Sequence, residues 1–306
     1  MSKKEYITKE LITCIGNKRA LVDFIEEEIV NIKKELGKEE IISFDGFSGS
    51  GSVARLLKYH SSQLYVNDLE KYSYIVNSCY LKTPSKEDQI KINNIIDELN
   101  NLDFNVEGII CNHYAPKNTN NVTKDERAFY TRENALIIDT IRKKINEYPE
   151  YFNHLIAPLL VKASINANTS GVFKGFHKKG GVGHFGGKDE VNTESRITKK
   201  IVIEKPLYSD QNHSCNVEIF NKDINQLIKN LPHVDIAYLD PPYNQHPYGS
   251  NYFMLNTIID NEITGKLSKV SGIPDNWNRS DYNYPKSASN AMKDLLLNMN
   301  AKYIIM

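Results

Sequence analysis

The stretch Glu40-Ile41-Ile42-Ser43-Phe44-Asp45-Gly46-Phe47-Ser48-Gly49-Ser50-Gly51 decides the reading of the chain. A short apolar run that ends in an acidic residue and a glycine-rich turn is the pattern of a buried parallel strand. Upstream, Asn17 to Leu36 places Ala20, Leu21, Phe24, Ile25, Ile29 and Ile32 at three- and four-residue spacing, which predicts an amphipathic helix. Downstream, Ser52 to Tyr59 reads as a helix, Gln63 to Asp68 as a second strand, and Tyr72 to Leu81 as another helix. Strand, glycine turn, helix, strand and acidic residue in that order predict an α/β fold: a doubly wound, mostly parallel, Rossmann-like sheet.

The turn narrows the ligand. Glycines let the backbone bend sharply and let a ligand approach it, and the next helix offers free N–H groups. No lysine follows, so the turn is not a phosphate-binding P-loop. Gly49-x-Gly51-x-x-Ala54 does satisfy the looser G-x-G-x-x-A pattern, and Asp68 ends the next strand, where a carboxylate can accept hydrogen bonds from ribose. This pair alone leaves a nicotinamide dinucleotide and S-adenosylmethionine equally open.

Composition excludes other classes. Across 306 residues, 38 Lys+Arg balance 38 Asp+Glu, so any nucleic-acid binding needs positive charge gathered on one face. No apolar run approaches the roughly 18 residues of a membrane span, and Met1-Ser2-Lys3-Lys4-Glu5 has no signal-peptide core. Cys14, Cys79, Cys111 and Cys215 lack C-x-x-C spacing, which argues against a metal site and for a reducing, cytoplasmic setting.

The α/β alternation lapses between Asn112 and Pro206, where helical patterns at Asp125 to Asn146 and Tyr151 to Ala167 precede a glycine-dense segment, Asn168 to Gly187. It resumes with Asn216 to Asn221, a helix near Asp223 to Asn230, and Val234 to Asp240. The predicted organisation is a sheet domain, residues 1–111 and 206–306, interrupted by a module at 112–205. Between Val161 and Lys205, nine Lys and Arg face four Asp and Glu, a local charge of +5 interleaved with Phe173, Phe176, His177, His184 and Phe185. Such a patch suits phosphate contacts.

Ile236-Ala-Tyr-Leu-Asp240-Pro241-Pro242-Tyr243 carries the chemistry. It sets a carboxylate at the carboxyl end of an apolar strand, where open α/β sheets bind ligands. Prolines stiffen the turn and leave its carbonyls free. A carboxylate and a carbonyl together can accept both hydrogens of an exocyclic amine, turning the nitrogen lone pair away from its ring, and Tyr243 can stack on that ring. A carboxylate is too weak a base to deprotonate a neutral aromatic amine, so Asp240 is read as an orienting acceptor.

With these elements the chain resembles the D12 class of adenine-specific DNA methyltransferases. Gly16-Asn-Lys18-Arg19 is similar to the family's N-terminal G-x-K-R element, and Asp45-x-Phe47-x-Gly49-x-Gly51 to its D-x-F-x-G-x-G loop. Asp68 is similar to its ribose-binding acid, and Phe220-Asn-Lys-Asp223 to the element that contacts the cofactor's adenine. The resemblance implies methyl transfer from S-adenosyl-L-methionine to N6 of adenine in double-stranded DNA, without metal, in a restriction–modification system. It implies Asp240, Pro241, Pro242 and Tyr243 as catalytic residues, and Lys18, Asp45, Phe47, Gly49, Gly51, Asp68 and Asp223 as cofactor contacts. The loop after Tyr243 implies Tyr252 or Phe253 over the extruded base, and the glycine-rich module makes Lys174, Asn168 and Asn166 candidate DNA contacts.

Family members usually continue beyond a fifth strand, which Ala301-Lys-Tyr-Ile-Ile-Met306 resembles. The expectation is that terminal strands are missing, and that a partner chain, or a truncated or fragmentary origin, accounts for this. A cognate endonuclease is the other expected partner, and no membrane is. Three rivals remain at this stage. An RNA adenine or protein glutamine methyltransferase more often carries asparagine at position 240. A nicotinamide-dependent oxidoreductase leaves Asp240-Pro-Pro-Tyr243 unexplained. The third is an inactive DNA-binding remnant.

Overall fold

The computed structural model describes residues 2–186, 196–209, 214–242 and 247–306. Seven strands are present among them: β1 (Ile41–Asp45), β2 (Ser61–Asn67), β3 (Lys178–Lys179), β4 (Val182–Gly183), β5 (Asn216–Phe220), β6 (Val234–Tyr238) and β7 (Ala301–Ile305). Five form one sheet in the order β5-β2-β1-β6-β7, every pair parallel. The remaining two make a short antiparallel hairpin, the regular structure of the glycine-dense segment.

Side-chain alternation explains why this sheet is covered on both faces. Ile41, Leu64, Val66, Ile236 and Tyr238 face one apolar cluster with Val22, Ile25 and Ile29 of α2 (Val22–Leu36) and Val53 and Leu56 of α3 (Ser52–Lys58). Phe44, Val234 and Ala237 face a second cluster with Ile224, Leu227 and Leu295. The neighbours of β1 are β2 on one side and β6 on the other, so the sheet reverses its winding direction between β1 and β6. A crevice opens at such a reversal, outside the carboxyl ends of the strands.

Several elements differ from their sequence reading. The first amphipathic helix begins at Val22, after a single 3₁₀ turn at Arg19–Leu21, because residues 15–18 are drawn toward the crevice. Phe24, read as part of its apolar stripe, is 64% exposed. The helix expected over 125–146 is α7 (Arg132–Ile145), which starts where the Thr131 hydroxyl accepts the Asn134 amide at 3.2 Å. The one expected over 151–167 is α8 (Phe152–Ile165), buried over most of Leu155–Ser164.

These middle helices do not stand apart from the sheet. Helix α8 packs on α4 (Lys71–Leu81), and one apolar cluster joins Val76 and Cys79 of α4 to Ile92 and Ile96 of α5 (Lys86–Asn100), Ile137 and Ile141 of α7, and Leu155 and Leu159 of α8. Helix Phe253–Asp260 enters the same cluster, and Arg142 of α7 fastens it by donating to the carbonyls of Ile258 and Ile259, each at 2.8 Å. No helix among the described residues is long and apolar enough to cross a membrane.

Candidate active site

A crevice opens at the winding reversal, and three carboxylates mark the strand ends beneath it: Asp45 as the last residue of β1, Asp68 after β2 and Asp240 after β6. Its other wall comes from the loop at 14–18, from Lys222 to Ile224, and from Tyr248, Gly249 and the 278–283 segment.

The glycine turn is shaped by what its backbone must reach. Gly51 has φ +83° and a Cβ there would lie 2.5 Å from Asn77 Oδ1, so a side chain is excluded twice over. The Asn77 amide is itself held by the hydroxyl of Ser48 at 3.0 Å. Gly49 N–H donates to Asp68 Oδ2 at 2.7 Å, and Glu70 N–H donates to Asp68 Oδ1 at 2.8 Å, so Asp68 ties the turn to the head of α4.

Burial dominates the electrostatics. Asp45 is fully buried, and its oxygens make no close hydrogen bond among the described residues, the Phe47 and Ala54 amides acting on them only from outside that geometry. Desolvation, with repulsion from Asp68 and Asp240, lifts its pKa well above the ordinary carboxylate range. Desolvation likewise raises Asp68, against the amides that it accepts. Glu70, 4% exposed, is pushed up to about 7 by burial and then by the Asp68 charge. Against this acidic floor, Lys18 forms an ion pair with Asp240 while also donating to the Gly16 carbonyl at 3.1 Å. Phe47 meets Tyr282 edge to face at 5.1 Å on the crevice wall.

Comparison with known proteins agrees with this arrangement. The family of D12 class N6 adenine-specific DNA methyltransferases matches residues 15–305. The chain belongs to that family. It is 32% identical over 251 residues to the type II methyltransferase M.NlaIII of Neisseria lactamica, covering 80% of this chain and 68% of that protein. It is 30% identical over 297 residues to the type II methyltransferase M.CviAII of Paramecium bursaria Chlorella virus 1, covering 95% and 81%. Type II methyltransferase M.FokI of Planomicrobium okeanokoites is 28% identical over 305 residues, 95% of this chain and 43% of that longer protein.

In this D12 methyltransferase the crevice gathers Lys18, Asp45, Phe47, Gly49, Asp68, Asp223, Asp240 and Pro242. Gly51 bends the turn behind it. Asp223 stands exposed at the rim, where its carboxylate caps a short helix by accepting Gln226 N–H at 3.1 Å. Pro241 is partly exposed beside Asp240. Tyr243 lies outside the described residues, as do Lys188, Asp189, Glu190 and Glu194 of the basic stretch.

Four expected contacts lie in the interior instead. Tyr252 is fully buried, its hydroxyl accepting the Ile15 amide at 2.7 Å, and Phe253 packs among Tyr114, Phe129 and Phe173. Neither lines the crevice, because they begin the helix that closes the large apolar cluster. Tyr248 of the same loop lines it instead, with its hydroxyl donating to the Ile15 carbonyl at 3.1 Å. Asn168 is interior, its amide donating to the carbonyls of Ala128 at 2.8 Å and His184 at 3.0 Å. Asn166 similarly bonds the Arg196 and Lys199 carbonyls. Lys174 is exposed and does not line the crevice, a position that leaves it open to DNA. Part of the expected basic patch is also spent internally: Arg196 binds the Ala167 and Thr169 carbonyls, Lys162 pairs with Glu204, and Lys205 pairs with Asp97.

Glu70, Asn278, Ser280 and Tyr282 line the crevice without having been read from the sequence. Only Glu70, two residues past Asp68, carried a positional signal. The other three arrive from a loop more than 200 residues away in the chain.

A deeply buried carboxylate, further acids open to hydroxyl and amino groups, a turn stripped of side chains and an aromatic wall of Phe47 and Tyr282 suit a ligand that is donor-rich, cationic and partly aromatic.

Proposed function

We propose that the protein transfers a methyl group from S-adenosyl-L-methionine to N6 of adenine in double-stranded DNA, as the cytoplasmic modification enzyme of a restriction–modification system. The observation that carries this reading is that Asp240, at the tip of β6, faces the same crevice as the glycine turn at the tip of β1.

Lys18, Asp45, Phe47, Gly49, Gly51, Asp68 and Asp223 are the residues to hold the donor. When bound, the donor supplies an electrophilic methyl group on a sulfonium. The chain's own residues do the rest. The target adenine leaves the duplex at a cost of a few kcal/mol. The Asp240 carboxylate and Pro241 carbonyl accept the two N6 hydrogens, and Tyr243 stacks on the purine. This holds the amine lone pair out of conjugation and aimed along one line, so that positioning and electrostatics supply most of the acceleration. Asp240 accepts hydrogen bonds while N6 takes the methyl group and the donor's carbon–sulfur bond breaks to leave a neutral thioether; the proton shed by the methylated, cationic N6 then passes through the Asp240 carboxylate to solvent. Residues 112–205 are proposed to read the DNA sequence, with 1–111 and 206–306 performing the transfer.

The test is transfer of a tritiated methyl group to unmodified bacterial DNA, with an RNA arm, for the wild type and Asp240→Ala. Transfer to DNA alone is expected, falling by at least about 10²-fold in the variant, while calorimetric binding of S-adenosyl-L-methionine stays within a few-fold. Undiminished transfer in the variant overturns the assignment of Asp240, and transfer to RNA alone overturns the substrate. Sequencing of the product for modified adenines supplies the recognition site.

A further inference from the structure

We propose that Trp277 and Arg279, which flank the crevice-lining Asn278 in the chain, form a stacked contact for the DNA backbone beside the extruded base. The inference rests on the DNA methyltransferase reading above and adds residues that lie outside residues 112–205.

The Arg279 guanidinium carbon lies 4.2 Å from the centroid of the Trp277 ring. Two further hydrogen bonds hold it there, from Nη1 to the Trp277 carbonyl and from Nη2 to the Asp275 carbonyl, each at 3.2 Å. Both acceptors are backbone. Among the described residues Arg279 has no carboxylate partner, and the Asp275 carboxylate accepts instead the Lys266 amide at 3.1 Å. Arg279 is therefore an exposed, uncompensated cation whose plane is already fixed.

The intervening residue connects this pair to the site. Asn278 lines the crevice and donates to the Leu69 carbonyl at 3.3 Å, directly after Asp68, while Ser280 lines it on the other side. The loop is braced from the opposite direction too. Arg127 donates to the carbonyls of Val270 at 3.2 Å and Ser268 at 3.1 Å, the Tyr114 hydroxyl donates to the Gly272 carbonyl at 2.8 Å, and Ser271 Oγ donates to the Lys174 carbonyl. One braced loop thus runs from exposed Lys174, four residues before the hairpin that carries exposed Lys178 and Lys179, to the mouth of the crevice.

A planar, weakly hydrated guanidinium stacked on an indole keeps its outer N–H groups free for phosphate oxygens, and loses little rotamer freedom in binding them. A polyanion that must deliver one base into the adjacent crevice is the partner that this geometry suits.

Trp277 is the only tryptophan in the chain, so it reports on its own surroundings. Binding of sonicated, unmethylated duplex DNA is followed by anisotropy of labelled DNA over a salt series, alongside tryptophan emission. Wild-type emission is expected to change at DNA saturation. In Arg279→Ala the slope of log affinity against log salt is expected to fall by about 1, with Arg279→Lys restoring it. Unchanged emission at saturation overturns the inference, as does an Arg279→Ala slope equal to the wild type, while methyl transfer by the wild type leaves the proposed function standing. Absence of any DNA binding and transfer sinks both.

Discussion

Lys18 forms an ion pair with Asp240, bringing the loop that precedes α2 onto the tip of a strand more than 200 residues later. Both side chains are mostly buried, and the other acids beneath the crevice repel Asp240 rather than hold it. Lys18 is therefore the cation that keeps the carboxylate aimed into the crevice.

Replacing it tests that relationship. Lys18→Met preserves the aliphatic length and removes the charge. Losing one charge-assisted contact of about 1.5–3 kcal/mol corresponds to a fall of roughly 10- to 100-fold in methyl transfer. Single-turnover transfer, with DNA affinity measured in parallel, checks this. An unaltered rate refutes a positioning role for Lys18.

Glu70 predicts a pH dependence. The folded protein retains its proton up to about pH 7, whereas the unfolded chain releases it near 4.5. The folded state thus binds more protons across that window, and this group's contribution to stability falls as pH rises from about 4.5 through 7, by at most about 3 kcal/mol. Glu70→Gln keeps an oxygen for the Asn256 amide, now at 2.9 Å, and has no proton to lose. Its Tm is expected to decline less than the wild type's between pH 5 and pH 8. Parallel curves contradict the assignment.

Gly249 is where three loops converge. A Cβ there would lie 2.4 Å from the Asn278 carbonyl oxygen and 3.1 Å from Glu70 Oε1. Backbone cannot yield as a side-chain tip does, so Gly249→Ala pushes the Tyr248 loop away from the 278–283 segment, at about 1–3 kcal/mol. Transfer is expected to drop more than stability does. The comparison of thermal melts with methyl transfer decides it, and full activity shows that the loops need not meet.

Asn168, a residue with the look of a DNA reader, is expected to behave as a structural one. Asn168→Ala strands the Ala128 and His184 carbonyls, for a loss of about 1–3 kcal/mol and a Tm several degrees lower. The set of adenines methylated in sequenced DNA stays the same. A changed recognition site is the contrary result.

What the sequence by itself determined are the features that local chemistry dictates. Glycine next to an apolar run has few alternatives to a tight turn, two prolines after an aspartate stiffen a strand end, and short unbroken apolar runs mark the buried central strands. Those are short-range constraints, and they sufficed to locate Asp45, Asp68 and Asp240 and the family to which they belong. The aromatic loop shows the limit. Tyr248, Tyr252 and Phe253 stand within six positions of one another, and spacing does not distinguish the one at the crevice from the two in the core. The helix Phe253–Asp260 packs into a cluster assembled from α4, α5, α7 and α8, and that packing buries its first residues. The same holds for Asn168, whose amide is consumed by carbonyls 16 and 40 residues away, and for Glu70, Asn278 and Tyr282, which meet only when the chain closes on itself. Only tertiary structure decided these, because which polar group is satisfied and which ring is covered depends on partners distant in the chain.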